Sequence, residues 1–170
     1  GAGARDVFSM WSQGYDMVGV DAIVENIEKS RNLHPEIADR VFVADLRQPL
    51  PFEDASFDFV ACNAVIQHIE PDLVRDVVLP ELTRVLRPEG VLQLMHKNGT
   101  GTTTVFDKDY GVERTFQLHD EREMLGVLQE RGMALIEAES PDTLGGFLYF
   151  TDPKPVDHCL FFTRKVGTSS

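Results

Sequence analysis

Val18-Gly19-Val20-Asp21 is a short apolar run that ends in a carboxylate, and Val41-Phe42-Val43-Ala44-Asp45-Leu46 repeats that shape further along the chain. Both runs are too short and too continuously apolar for strands with one wet face, which suits parallel strands covered on both sides. Parallel neighbours need a crossover between them, and Ala22 to Arg31 has helical spacing, with Ile23, Ile27 and Ser30 inward and Glu25, Glu28 and Lys29 outward. Upstream, Gly1-Ala2-Gly3-Ala4-Arg5 supplies paired glycines where a ligand could approach the backbone. Glycine turn, helix, strand, acid, helix, strand, acid is the layout of a nucleoside-binding α/β domain. In such a domain an acid at the end of a strand takes ribose hydroxyls.

At 170 residues, with 42% apolar and 26% charged side chains, the chain has the size and composition of one globular domain, residues 1–170. No window reaches the ~20 apolar residues that cross a bilayer, and no secretory pattern is present. The net charge of −12 repels a phosphate backbone, so no direct grip on nucleic acid is expected, and it favours a cationic ligand. Cys62 and Cys159 each lie in an apolar strand-like run. They read as buried free thiols in a reducing, cytoplasmic setting, with no metal site expected.

Residues 4–13 predict a helix with Val7, Met10 and Trp11 on one face, closed by Gly14. Met17–Val20 and Val41–Ala44 predict strands, and the prolines of Pro49-Leu50-Pro51-Phe52 predict a loop. Phe57–Cys62 is a strand. Asp72–Leu86 is the longest helix, broken near Leu79 by Pro80 and stopped at Pro88-Glu89-Gly90. Val91–His96 is a further strand. From Lys97 to Leu118 the pattern is lost, and a long functional loop is expected. A helix from His119-Asp120 to Gly132 follows, then strands at Met133–Ala138 and Asp157–Arg164. The loop between that pair holds Gly145-Gly146 and Pro153-Lys154-Pro155. Without a helix to separate them, those two strands are expected to run antiparallel.

Taken together, Gly1-Ala2-Gly3, Val18-Gly19-Val20-Asp21, Ala44-Asp45-Leu46, Leu50-Pro51-Phe52 with Ser56-Phe57-Asp58, and the RVLRPEG stretch from Arg84 to Gly90 resemble the class I S-adenosylmethionine-dependent methyltransferases. The resemblance covers nearly the whole chain. It implies a Rossmann-like, doubly wound, mostly parallel sheet with an antiparallel last strand. The family's glycine motif has the form (D/E)xGxG and follows a strand. This chain begins inside that motif, so the expectation is an N-terminally incomplete domain whose first, central strand is missing.

The resemblance implies S-adenosylmethionine as cofactor, with Gly1 and Gly3 beside its methionine part. Asp21 would take the ribose hydroxyls, or cap the following helix. Asp45 and the Leu46 amide would hold adenine, or Asp45 would form an Asx turn. Ile23 and Leu46 would flank the base, and Asn63 and Ala64 would hold the methionine ammonium. His68, past the end of the fourth family strand, is the candidate base, with bracing of the next helix as its other role. His96, His119, Asp107, Asp109 and Tyr110 are weaker candidates. The expected reaction moves a methyl group to an oxygen or nitrogen of a small molecule, in a monomer or a homodimer. Three alternatives stay open. The first is a non-catalytic methyltransferase-like scaffold, and the second a transfer-RNA-modifying methyltransferase. The third is an NAD-dependent oxidoreductase, against which stands the lack of a Tyr-x-x-x-Lys pair.

Overall fold

The computed structural model describes residues 2–151 and 157–167, so Gly1 and Pro153-Lys154-Pro155 lie outside the described residues. The chain divides between Pro51 and Phe52 into two compact units.

The first unit holds helix α1 (Ala2–Ser12), strand β1 (Gly19–Asp21), helix α2 (Val24–Leu33), a single turn at Pro35–Ile37 and strand β2 (Val41–Val43). β1 and β2 pair in parallel, Gly19 opposite Val41 and Asp21 opposite Val43. The core is Val7, Ile27, Ile37 and Val41, with Phe8, Trp11 and Met17 packed on it. A Cβ on Gly19 would stand 2.7 Å from Val7 Cγ2, so α1 rests directly on a position without a side chain.

Three expectations for this unit are corrected. α1 begins at Ala2, which puts Gly3 in a helical turn; the alanines on either side of it favour helix. The strands are not covered on both faces: Val20 is 37% and Val43 46% exposed. The helices cover Gly19 and Val41, while Val20 turns to the other face and Val43, on the same face as Val41, lies beyond their cover. Finally, α2 starts at Val24, and Ile23 is its exposed N-cap rather than an inward residue. The cause is the Asp21 carboxylate, whose Oδ1 accepts the Ile23 N–H at 2.9 Å and so forms a turn ahead of the helix.

The second unit is a mixed sheet in the order β3 (Phe57–Asn63), β4 (Leu86–Lys97), β9 (Asp157–Lys165), β7 (Met133–Leu135), with β8 (Leu148–Thr151) also on β9. β3 and β4 are parallel, and β9 is antiparallel to β4, β7 and β8. Leu92, Leu94 and Phe161 are buried on one face of the sheet.

The expected single helix is α3 (Pro71–Leu73), a wide π turn at Val74–Val78 and α4 (Leu79–Arg84). Pro80 has no N–H to give the carbonyl four residues back and its ring crowds it, so the preceding turn widens. Leu79 N–H accordingly bonds Val74 O. Beyond α4, the Lys165 ammonium donates to Thr83 O (2.9 Å) and Leu86 O (2.8 Å), tying the helix end to β9.

β4 starts at Leu86, earlier than expected, with Pro88-Glu89-Gly90 as an irregularity inside it. The register with β3 shifts between Phe57 and Phe59, and Glu89 has φ +68. The region read as a patternless loop is a hairpin, β5 (Thr102–Asp107) and β6 (Val112–Gln117). Its β-branched run Thr102–Val105 favours strand, and Gly111 turns the chain at φ +65. After His119, helix α5 (Glu121–Glu130) is capped by Asp120, which accepts from the N–H groups of Arg122 and Glu123. β7 ends at Leu135, short of Ala138, because Gly146 N–H takes the Ile136 carbonyl at 2.8 Å. Gly145 crosses there so closely that a Cβ would lie 2.3 Å from Ala138 N. Among the described residues, no helix is long and apolar enough to cross a membrane.

Candidate functional site

In the first unit, Asp21 ends β1, and Asp45 stands two residues past Val43, the partner of Asp21. Two carboxylates therefore come to the same end of neighbouring parallel strands, the edge where open α/β sheets place ligands. Both also do local work. Asp21 Oδ1 takes the Ile23 N–H, and its Oδ2 takes Asn26 Nδ2 at 3.1 Å. Asp45 Oδ1 takes the Arg47 N–H at 2.9 Å and lies 3.5 Å from the Arg47 guanidinium. An ionised carboxylate has about four lone-pair directions, so these bonds fix each side chain and leave acceptor capacity for a ligand hydroxyl or amine. Ile23 is 52% exposed and Leu46 half-buried. Gly3 lies in the first turn of α1, whose backbone N–H groups have no partner within the helix.

In the second unit, Asn63 ends β3 and Ala64 follows with φ +58, a left-handed conformation that costs a residue with a Cβ about 1 kcal/mol or more. The turn is held by Ala64 N–H to Met95 O at 2.9 Å, and Asn63 Oδ1 accepts from Gln93 Nε2 at 3.0 Å. His68 closes the single turn Ile66–His68, is exposed, and lies 5.6 Å from the ring of Phe116.

A neighbouring group went unnoticed in sequence. Lys97, the last residue of β4, is 4% exposed, with Nζ 3.2 Å from His158 Nε2 and 4.8 Å from the centre of the Phe116 ring. Arg114 stands against the same ring at 5.7 Å and reaches Asp107 Oδ2 at 3.3 Å. The signal was available as the alternation Val112, Arg114, Phe116 after Gly111, which puts these side chains on one face of a strand.

His96 and His119 are buried behind this region, their rings 6.2 Å apart. Burial lowers the pKa of both, so both sit as neutral imidazoles. His119 Nε2 donates to Ile66 O at 2.7 Å, bracing the turn that leads to His68. Cys62 and Cys159 are free and buried, and burial pushes each thiol up to about 12. Among the described residues, no group of three His, Cys, Asp or Glu side chains is arranged to hold a metal ion.

Two of the stretches that carried the resemblance, the loop before β3 and RVLRPEG, hold each other. Arg84 donates to Phe52 O and Asp54 Oδ1, each at 2.8 Å, and Arg87 to Asp58 Oδ1 at 2.8 Å. The RVLRPEG arginines thus pin the loop that feeds β3 onto the start of β4.

Residues 1–94 match the methyltransferase-domain family, more than half of the 170-residue chain. An S-adenosylmethionine-dependent methyltransferase from Methanosarcina mazei has the same fold, at 20% identity over 99% of this chain and 91% of that one, with TM-score 0.70. So does the 1,6-didemethyltoxoflavin-N1-methyltransferase of Burkholderia thailandensis, solved with its substrate and S-adenosylhomocysteine (18% identity, 98% and 68% covered, TM-score 0.67). The 4+2 cyclase SpnF is similar in fold as well, at 14% identity over 99% of this chain and 74% of that one, with TM-score 0.66. No curated protein sequence matches the chain. A fold shared by transferases and a cyclase does not by itself name a reaction. The family match goes further, and by it the chain belongs to the methyltransferase-domain family.

Proposed function

We propose that the chain transfers a methyl group from S-adenosylmethionine to an oxygen or nitrogen nucleophile of a small molecule. The observation that carries this reading is the pair of carboxylates, Asp21 and Asp45, at the same end of adjacent parallel strands within the family-matched stretch. When bound, S-adenosylmethionine supplies a methyl group already activated on a sulfonium.

The residues of the first unit then bind the nucleoside. Asp21 accepts from the two ribose hydroxyls, and its existing bonds to Ile23 N–H and Asn26 hold it in place for that task. Asp45 accepts from the adenine amine, the Leu46 amide donates to a ring nitrogen, and Ile23 and Leu46 flank the base. Gly3, in the first turn of α1, is assigned to the methionine part. Asn63 and Ala64, where the chain turns with Ala64 at φ +58, are the residues assigned to the methionine ammonium. His68 takes the proton of the acceptor nucleophile.

Because the methyl group is activated, alignment does most of the work: well-oriented reactants gain effective molarities of ~10⁵ M or more. The His68 base adds a smaller factor, ~10² to 10⁴. Calorimetry with S-adenosylmethionine and, separately, with NAD tests the reading. One-to-one binding of the first and none of the second is expected. Binding of NAD alone, or of neither, would overturn it. Mass spectrometry of small molecules that copurify with the protein would then identify the acceptor.

A further inference from the structure

The second unit holds an open cavity of about 540 Å³ between α5, the turn at Val74–Val78 and the Gly99-Thr100-Gly101 stretch. That is the size of a small-molecule site. Its buried wall includes His119, which donates to Ile66 O, so the cavity backs onto the turn that carries His68. Its apolar lining is Leu118, the buried Met124 and Val127. Along α5, Glu123, Gly126, Val127 and Glu130 recur at i, i+3, i+4 and i+7, and they share the helix face that lines the cavity. Gly126 is the unexpected member. Glycine weakens a helix interior, and a Cβ built there would meet nothing within 4 Å. Packing therefore does not demand it, and its missing side chain leaves this part of the cavity open.

The two glutamates give the cavity its sign. Neither carboxylate has an ion-pair or hydrogen-bond partner among the described residues. The cation on the facing wall, Arg75, is already engaged. Its guanidinium bonds Asp76 at 2.9 and 3.1 Å and lies 3.5 Å from Asp72. Arg131, past the end of α5, attracts the same Asp76 carboxylate. Arg122 is turned to the Phe147 ring, 5.8 Å from its centre. Seven residues of helix separate Glu123 from Glu130 by about 10 Å, too far for one ammonium to bond both. Between them lie Gly126, Val127 and Met124, with no charge. Acceptor, hydrocarbon, acceptor is the complement of a chain with an ammonium at each end. The net charge of −12 acts in the same sense, because it draws cations to the surface.

We propose that this cavity binds a linear diamine, one ammonium at Glu123 and the other at Glu130, with its hydrocarbon over Met124 and Val127 in the gap left by Gly126. The site shares no residue with those assigned to the nucleoside, and the proposal does not depend on the methyl-transfer reading.

The test titrates the full chain with hexamethylenediamine and, separately, with hexylamine and hexanediol, at an ionic strength held constant with sodium chloride. NMR follows the Gly126 amide and the Met124 methyl group. Saturable shifts at both are expected with the diamine, a lower affinity with hexylamine, and no saturation with hexanediol. Glu123→Gln and Glu130→Gln each alter an exposed side chain. Each should weaken diamine binding about threefold, the worth of one solvent-screened ion pair. Gly126→Leu should abolish binding without lowering the urea midpoint, because leucine favours helix and fills the open space. Equal affinity for the diamine and hexylamine would overturn the proposal, as would unchanged binding in either glutamine variant or in Gly126→Leu. A diamine titration without saturation would do the same.

Discussion

In the first unit a pair of three-residue strands rests on four buried side chains, whereas in the second a twelve-residue strand runs beside a nine-residue one across a face that buries Leu92, Leu94 and Phe161. The two carboxylates proposed to grip the nucleoside belong to the smaller construction. Each is held in place by a turn of its own making rather than by the packing around it. The cluster around Lys97 belongs to the larger one and is fixed by burial. The difference teaches that the first unit, with its small core, should gain the most order from a ligand at its strand ends. A ligand that binds only the folded state stabilises it by mass action, and the gain should be concentrated in the first unit.

The largest effect expected is in the second core. Phe161→Ala should cost about 3–5 kcal/mol in urea unfolding, while Ile37→Ala in the first should cost about 2 kcal/mol, the low end for such truncations, because a small core collapses around the gap. If Ile37→Ala proves as damaging as Phe161→Ala, the contrast between the units fails.

The next effect is on pH. His96 and His119 are both buried, and burial lowers both pKa values below 6.5. As pH falls through that value the unfolded chain binds protons first. The stability of neutral burial is therefore complete above it, and is lost as pH drops toward the folded-state values. Each imidazole contributes a slope of up to ~1.4 kcal/mol per pH unit in that window. His96→Leu should flatten the dependence of the urea midpoint between pH 7 and pH 5, and an unchanged slope would show that His96 is not the buried titrating group.

The smallest effect is at His68. It is exposed, so His68→Gln should move stability by no more than about 0.5 kcal/mol while removing the proposed base. A large loss of stability would instead mean that the side chain braces the turn before α3.

Where the sequence carried a strong period or a rigid residue, the fold could be read from it. The apolar face of α1, the break before Pro80, the caps of α5 and the antiparallel β9 all follow from side-chain spacing or from a missing N–H. The adjacency of the strands that lead to Asp21 and Asp45 was legible as well, because a helix-length crossover joins two short apolar runs. The hairpin β5–β6 was not. Its β-branched threonines favour strand, but Gly99 and Gly101 before them and the charged residues around its turn gave the stretch a loop-like composition that masked them. The site, too, was read only in part. Lys97 meets His158 from 61 residues away and Phe116 from the far strand of the hairpin that follows it, and no local pattern announces such a meeting. The position of Ile23 was misread because the bond from Asp21 to its N–H delays the helix, a competition that helical periodicity alone does not register.

The measurement that bears most directly on the account is calorimetry of S-adenosylmethionine against the unaltered chain and against Asp21→Ala. The account predicts one-to-one binding to the unaltered chain, weakened roughly 10- to 100-fold in the variant as hydrogen bonds to a charged acceptor are lost. Equal affinity in the two proteins, or no binding to the unaltered chain, would contradict it.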